Sequence, residues 1–135
     1  MPLARTAMYS TGAKIHVAAW PGSGGLTEDV TRFIAKEGRL FVVSVAAIYD
    51  SGMIPDDFPL KDQLLKSEQY HNGGTCIAGP DGRWVVEPIS DKKGIIWADL
   101  DLSEIVRQRQ NFDPTGHYSR PDVLSLTVDK TRLAP

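Results

Sequence analysis

The sequence is poor in the residues that most metal and redox sites require. Its 135 residues include one cysteine, Cys76, which excludes an internal disulfide and any multi-cysteine zinc or iron–sulfur site. Fifteen Lys and Arg stand against 17 Asp and Glu, a balance that argues against binding to nucleic acid. No apolar run approaches the roughly 18 residues of a membrane-spanning helix. We therefore expect a cytoplasmic protein without metal, membrane anchor or nucleic-acid partner.

Hydrophobic patterning predicts a mixed α/β domain without internal repeats or linkers. Apolar residues at helical spacing predict four helices, at Leu3–Thr11, Thr27–Glu37, Leu60–Gln69 and Ser103–Gln110. Continuous or alternating apolar runs predict six strands, at Ile15–Trp20, Leu40–Ile48, Thr75–Ala78, Arg83–Glu87, Ile95–Leu100 and Val123–Val128.

Polar and apolar positions within the helices add detail. Thr27 and Ser103 stand where side chains cap the first turn of a helix, so we expect each to be a cap. Behind Thr27, the apolar stripe of Val30, Phe33 and Ile34 is expected to face the core.

The predicted strands fall into two groups. Ile15–Trp20 and Leu40–Ile48 flank a helix with short connections, which predicts a right-handed parallel crossover. The nearly continuous apolar character of Leu40–Ile48 predicts a strand covered on both faces. Gly79–Gly82 is a strong hairpin signal, and Ile95–Leu100 would add a third strand to form a meander.

Considered singly, the reactive residue types favour structural roles. Cys76 lies in the middle of a predicted strand, where a cysteine is more typical of a core than of a nucleophile. His16 fits a structural histidine. The glycine-rich segment at 21–25 matches neither the dinucleotide-binding fingerprint nor the Walker phosphate-binding pattern, so it predicts a tight turn. His117 lies in a dense mixture of aromatic and polar residues at 112–121, which fits either a packed tail or a functional segment.

Several stretches together resemble one enzyme family. They are Pro2–Arg5, Ala7–Tyr9, Ile15–Gly22, Thr31–Arg39, Phe41–Ser44, Asn72–Gly82, Ala98–Asp101, Asn111–Asp113 and Gly116–Val123. In this order they resemble the segment that follows the nucleophile in nitrilases, the carbon–nitrogen hydrolases that convert nitriles into carboxylic acids. The last block is similar to the nitrilase branch rather than to the amidases or carbamoylases. The resemblance implies half of an α-β-β-α sandwich.

The resemblance also implies that the catalytic residues lie elsewhere. Nitrilases need no cofactor and use a Glu general base, a Lys and a Cys nucleophile, all of which the resemblance places upstream of Met1. We therefore expect residues 1–135 to form a single partial carbon–nitrogen hydrolase domain, the C-terminal half, with no catalytic residue of its own. The chain alone is expected to be inactive.

Two positions are implied in substrate binding and two in ordering the tail. By resemblance, Trp20 and Pro21 would line the substrate pocket. The tail at Phe112–Val123 looks like a segment that runs across a partner subunit, and His117 and Arg120 would order it.

The resemblance also bears on partners. The helices at Leu3–Thr11 and Thr27–Glu37 look like the pair through which family members dimerise. We expect a nitrile substrate in the complete enzyme, and a homo-oligomer or association with the missing half. Half of a sandwich exposes apolar faces, so the chain should be poorly soluble or obligately associated.

Two other functions stay open. The chain could be a non-catalytic module that docks onto full-length nitrilase subunits. It could also be an independent binding domain with Trp20, Trp84 or Trp97 as pocket walls, although no positive feature favours this.

Overall fold

The computed structural model describes residues 1–21, 23–66, 71–129 and 131 and has the expected α/β architecture with a mixed sheet. Its helices are α1 (Pro2–Tyr9), α2 (Gly24–Gly38), α3 (Lys61–Lys66) and α4 (Ser103–Asn111), with a 3-10 turn at Ser51–Met53. Its strands are β1 (Ile15–Trp20), β2 (Phe41–Ala46), β3 (Ile48–Tyr49), β4 (His71–Ala78) and β5 (Trp84–Ser90). The predicted helix at Leu60–Gln69 ends in residues that lie outside the described ones.

The sheet combines one parallel pair with a hairpin. β1 and β2 are parallel, with Ile15 opposite Phe41 and Trp20 opposite Ala46. β4 is antiparallel to β2, β3 and β5. The turn between β4 and β5 is closed by the Gly82 amide, which donates to the Gly79 carbonyl at 2.8 Å. The predicted parallel pair and hairpin are confirmed.

One face of the sheet is covered by helices. The core on this face includes Ala18 of β1, Val42 of β2 and Ala78 of β4, packed against Ile34 and Ala35 of α2. Side chains alternate along a strand, so the neighbours of these residues point to the other face.

The second face of the sheet is only partly covered. Ile15, Val17 and Val45 are exposed there. The prediction that Leu40–Ile48 is covered on both faces therefore holds at its start, where Phe41 is 3% exposed, and fails at Val45, which is 47% exposed. Its apolar residues point both ways, but α2 packs on one side only.

Two side-chain hydrogen bonds join α1 to α2. The Tyr9 hydroxyl and the Arg5 Nε both donate to Oε2 of Glu37, at 2.8 and 2.9 Å. Gly38 lies directly beneath the Tyr9 ring, where a Cβ would approach a ring carbon to 2.4 Å. Burial is the main cause that raises the pKa of Tyr9 above its usual range, followed by the hydrogen bond to Glu37.

The two predicted helix caps are wrong. Ser23 occupies the N-cap position of α2, so Thr27 lies inside the helix and donates its hydroxyl to the Gly24 carbonyl at 3.3 Å. At α4 the cap position belongs to Leu102, and the Ser103 amide donates to the Asp101 carboxylate at 2.9 Å. Asp101 and Ser103 are both residue types that cap helices, so the sequence pattern alone did not show which side chain would accept the hydrogen bond.

The predicted apolar stripe of α2 is only partly correct. Ile34 is buried, but Phe33 is 55% exposed and lies beneath the Arg5 guanidinium at 5.9 Å from its ring centroid. Thr31 and Ala35 share the buried side with Ile34 because they lie within one turn of it.

Two predicted strands are irregular segments. Asp91 adopts a left-handed conformation with φ +58° and ends the β5 ladder, so Ile95–Leu100 does not form a meander. Val123–Val128 has no ladder partner among the described residues. Alternating apolar composition cannot form a strand without a neighbour to accept its hydrogen bonds. None of the described helices combines the length and apolar character needed to cross a membrane.

Candidate functional site: the carboxyl edge of the sheet

The carboxyl ends of the parallel strands β1 and β2 form one edge of the sheet, which we call the carboxyl edge. Trp20 ends β1, and its carbonyl accepts a hydrogen bond from the Ala47 amide at 3.3 Å. The Ala46 amide donates to Oγ1 of Thr75 at 3.1 Å, which ties β2 to β4 at this edge. Ligands of α/β sheets bind outside the carboxyl ends of strands, so this edge is the natural candidate site.

The start of α2 is fixed at the carboxyl edge by two glycines. Gly74 of β4 has φ +98°, and a Cβ on it would lie 2.3 Å from Cα of Gly24. The two backbones can approach this closely only because neither residue carries a side chain. The first turn of α2 therefore lies directly on the sheet.

Trp20 and Pro21 lie together where β1 leaves the sheet. Trp20 is half-buried, packs against the core on the helix-covered face and carries a buried Nε1 without a hydrogen-bond partner among the described residues. Pro21 follows it and is exposed. Gly22, the next residue of the glycine-rich segment, lies outside the described residues. A buried indole N–H without an acceptor is unfavourable, and no described residue supplies one.

Cys76 is a core residue, as its position in a strand predicts. It is fully buried within β4. Burial raises the pKa of its thiol, and hydrogen bonds with Ser44 and Thr31 oppose this rise only in part. A nucleophilic cysteine requires an accessible thiolate, so Cys76 is unsuited to that role.

The tail contains a compact turn around Asp113. One carboxylate oxygen accepts hydrogen bonds from the amides of Thr115 and Gly116 and from the Thr115 hydroxyl, each at 3.1 Å. Gly116 is packed so tightly that a Cβ would lie 2.7 Å from Asp113 Oδ2. Sequence reasoning assigned no role to Asp113, although Asp-Pro-Thr-Gly is a recognisable turn sequence.

His117 and Arg120 are both exposed and lie beyond this turn. The Arg120 guanidinium pairs with Asp122 through two hydrogen bonds, at 2.8 and 2.6 Å. The His117 ring lies 4.9 Å from that of Tyr118. Within the described part of the chain, no hydrogen bond, ion pair or ring contact joins these residues to Trp20.

The described residues contain no cluster of three or more His, Cys, Asp and Glu that could hold a metal ion. The carboxyl edge itself offers an indole donor and backbone groups.

Comparison with known proteins establishes the family. The carbon–nitrogen hydrolase family matches residues 1–110. The chain belongs to the carbon–nitrogen hydrolase family. A carbon–nitrogen hydrolase from Helicobacter pylori G27 has the same fold, with a TM-score of 0.64 and 20% identity over 91% of this chain and 43% of the other.

Within this family the chain is similar to nitrilases. It is 38% identical to an aliphatic nitrilase of Rhodococcus rhodochrous, over 99% of this chain and 38% of that enzyme. It is 36% identical to a bifunctional nitrilase/nitrile hydratase of Nicotiana tabacum, over 100% of this chain and 40% of that enzyme. This carbon–nitrogen hydrolase chain therefore spans about two fifths of the length of these relatives.

Proposed function

We propose that the chain is the C-terminal portion of a nitrilase that hydrolyses a nitrile to a carboxylic acid and ammonia. The observation that carries this proposal is the 38% identity to an aliphatic nitrilase along nearly all of the chain. The partly covered apolar face of the sheet, with Ile15, Val17 and Val45 exposed, supports a further layer in the complete enzyme. The expected compartment is the cytoplasm.

The proposed chemistry needs three residues from the rest of the enzyme. A Cys thiolate attacks the nitrile carbon, and a proton reaches the nitrogen to give a thioimidate. Addition of one water and loss of ammonia give a thioester, and a second water releases the acid and the thiol. A Glu transfers the protons and a Lys stabilises developing negative charge. Since Cys76 is buried and its pKa is raised, the chain alone should be inactive.

In the complete enzyme, this chain supplies part of the substrate pocket. Trp20 and Pro21 would form a wall at the carboxyl edge, with the unpaired Nε1 of Trp20 facing bound substrate. His117 and Arg120 would order the tail rather than take part in the chemistry. The ion pair of Arg120 with Asp122 supports this role, because it closes a local turn.

The complete enzyme is also proposed to be a homo-oligomer. α1 and α2 expose apolar residues, among them Leu3, Phe33 and Leu26. An apolar set of this kind on neighbouring helices is typical of a subunit interface. The same exposure favours the second candidate function, a non-catalytic module that docks onto full-length nitrilase subunits.

The decisive experiment compares ammonia release from a nitrile panel by two samples. One is the purified chain, and the other is the chain co-expressed with the N-terminal portion of a related nitrilase, which carries the Cys, Glu and Lys. We expect turnover only in the second sample. Turnover by the chain alone that Cys76→Ala abolishes would overturn the proposal. Stable binding to an intact nitrilase, with no turnover in the co-expressed sample, would favour the docking module.

A further inference from the structure

Positive charge is concentrated where α2 ends, far from the carboxyl edge. An open cleft of about 770 Å³ lies between α2, the turn joining β4 to β5, and α4. Its charged residues are Arg32, Lys36, Arg39, Arg83, Asp29 and Asp81. These give a formal charge of +2, whereas the whole chain has a formal charge of −2. We call it the basic cleft.

Arg39 is the central residue of the basic cleft. It is only 7% exposed, and its Nη1 donates to the Pro80 carbonyl at 3.2 Å and to Gln108 at 3.3 Å. Its guanidinium also lies 5.4 Å from the ring centroid of Phe112. Nε has no hydrogen-bond partner, and no carboxylate pairs with Arg39 among the described residues. A buried guanidinium without a counter-charge is unfavourable, so this position calls for an anion.

The other cations of the basic cleft are held in place without being neutralised. Arg32 donates through Nε to the Gly82 carbonyl at 2.9 Å and lies over the Trp84 ring at 5.5 Å. Lys36 follows Arg32 by one turn of α2 and has no ion pair within the described residues. The carbonyls at the end of α2 favour cations there, so an anion would have to bind through the side-chain cations and not through the helix end.

The two carboxylates leave this excess in place. Asp81 is engaged by Arg83, through an ion pair at 3.6 Å and through the Arg83 amide at 2.9 Å. Asp29 forms no ion pair with any described residue. The cleft therefore holds three cations without a paired carboxylate, against one unpaired carboxylate, that of Asp29. The three cations are Arg32, Lys36 and Arg39.

We propose that the basic cleft binds a phosphate group. Two guanidinium groups and one ammonium match a doubly charged oxyanion better than a single carboxylate, and guanidinium groups bind phosphate through paired donors. Gln108 and Asn111 line the same cleft and add amide donors. A helix of 15 residues is about 22 Å long, so this site is separate from the carboxyl edge at the start of α2. It does not depend on the proposed nitrilase activity.

The test is calorimetric titration of the purified protein in its native assembly with inorganic phosphate and with pyrophosphate, at constant ionic strength set with chloride. We expect saturable binding with one site per chain. The variant Arg32→Gln/Lys36→Ala should bind at least tenfold more weakly. The control Lys14→Ala, which removes an exposed cation outside the cleft, should stay within twofold. Tighter binding of pyrophosphate would identify a polyphosphate ligand, and equal binding a single phosphate group.

A second measurement covers the case in which Arg39 is needed for folding. Arg39→Gln keeps a polar side chain and removes the charge, so its melting temperature should not rise with added phosphate, whereas that of the unsubstituted protein should. Absence of saturable binding, or equal weakening in Lys14→Ala, would overturn the proposal. So would a phosphate-dependent rise in melting temperature that Arg39→Gln retains.

Discussion

The hydroxyl of Tyr9 donates to the carboxylate of Glu37 and joins the first helix to the second across 28 positions of the chain. Arg5 donates to the same oxygen, so one acceptor serves two donors. Tyr9→Phe removes one donor and leaves the ring in place. A hydrogen bond of this kind contributes about 1 kcal/mol, or more when the acceptor is charged. We expect a loss of about 1–2 kcal/mol in the free energy of unfolding, measured by urea denaturation.

The matched control for this prediction is Tyr118→Phe. Tyr118 is exposed, and its hydroxyl has no hydrogen bond within the described residues. Its substitution should leave the free energy of unfolding within about 0.5 kcal/mol, as for most surface changes. Equal effects of the two substitutions would show that the bond to Glu37 contributes no net stability.

Gly38 and Gly25 are both helical glycines of α2 and should respond oppositely to alanine. A Cβ at Gly38 would press on the Tyr9 ring at 2.4 Å, whereas a Cβ at Gly25 would meet nothing within 4 Å. Gly25→Ala should be neutral or stabilise by up to about 1 kcal/mol through helix propensity. Gly38→Ala should destabilise by about 1–3 kcal/mol through overpacking. Thermal unfolding of both variants tests this, and a gain in stability for Gly38→Ala would contradict it.

The buried thiol of Cys76 should be protected from alkylation. Burial raises its pKa, so little thiolate forms near neutral pH, and the side chain has no exposed surface. Iodoacetamide at pH 8 should modify it slowly in the native protein and rapidly in urea. Mass spectrometry over a time course measures both rates. Rapid labelling without denaturant would contradict the placement of Cys76 in the core.

The turn around Asp113 should be lost in acid. Burial alone would raise the pKa of this carboxyl, but the hydrogen bonds from Thr115 and Gly116 and the charge of Arg109 outweigh it and lower the pKa. A depressed pKa in the folded state means that the stabilisation is complete above the ordinary Asp value, about 3.9. It is lost as pH falls through the lower folded value. The Gly116 amide resonance should follow this titration.

Two variants control for this assignment. Asp113→Asn keeps an oxygen acceptor without an ionisable group, so the Gly116 resonance should no longer titrate. Asp99→Asn removes a carboxylate that makes no hydrogen bond with the described residues, and should leave the titration unchanged. A Gly116 titration that persists in Asp113→Asn would assign it to another group.

In the complete enzyme, Trp20→Phe should weaken substrate binding. It removes the unpaired Nε1 and retains most of the aromatic surface. We expect KM to rise several-fold, consistent with about 1 kcal/mol for one hydrogen bond, with a smaller change in kcat. Trp97→Phe is the control, because Trp97 is exposed and lies in a segment without helix or strand. An unchanged KM in Trp20→Phe would remove it from the pocket wall.

Sequence reasoning succeeded where local signals were strong. The limits of β1 were predicted to the residue, because an apolar run at Ile15–Trp20 meets a Pro and Gly segment that must break it. The β4–β5 hairpin followed from its Gly-Pro-Asp-Gly turn. The strand predicted at Ile95–Leu100 failed, because a strand depends on a neighbour and Asp91 turns the chain away.

The environment of Arg39 could not be predicted from the sequence either, because it also depends on parts of the chain that are distant in sequence. Its burial comes from two separate parts of the chain: the β4–β5 turn supplies the Pro80 carbonyl, and the end of α4 supplies the Gln108 side-chain oxygen and the Phe112 ring. Nothing local to Arg39 marks it, since a basic residue at the end of a helix is ordinarily solvated. Only the tertiary fold distinguishes it from Arg107, which is exposed and paired with Asp101 and Glu104.

The backbone of Arg39 adopts the left-handed conformation, with φ +49° and ψ +54°. Glycine is usually favoured at such a helix end, and any other residue there costs about 1 kcal/mol. Arg39→Gly would therefore relax the peptide and, at the same time, delete the three contacts that join α2 to the hairpin and to α4. At position 39, backbone conformation therefore favours glycine, whereas the contacts to the hairpin and to α4 favour arginine. A choice of stabilising substitutions based only on helix-end preferences would select Arg39→Gly, and would thereby remove the contacts that join α2 to the rest of the protein.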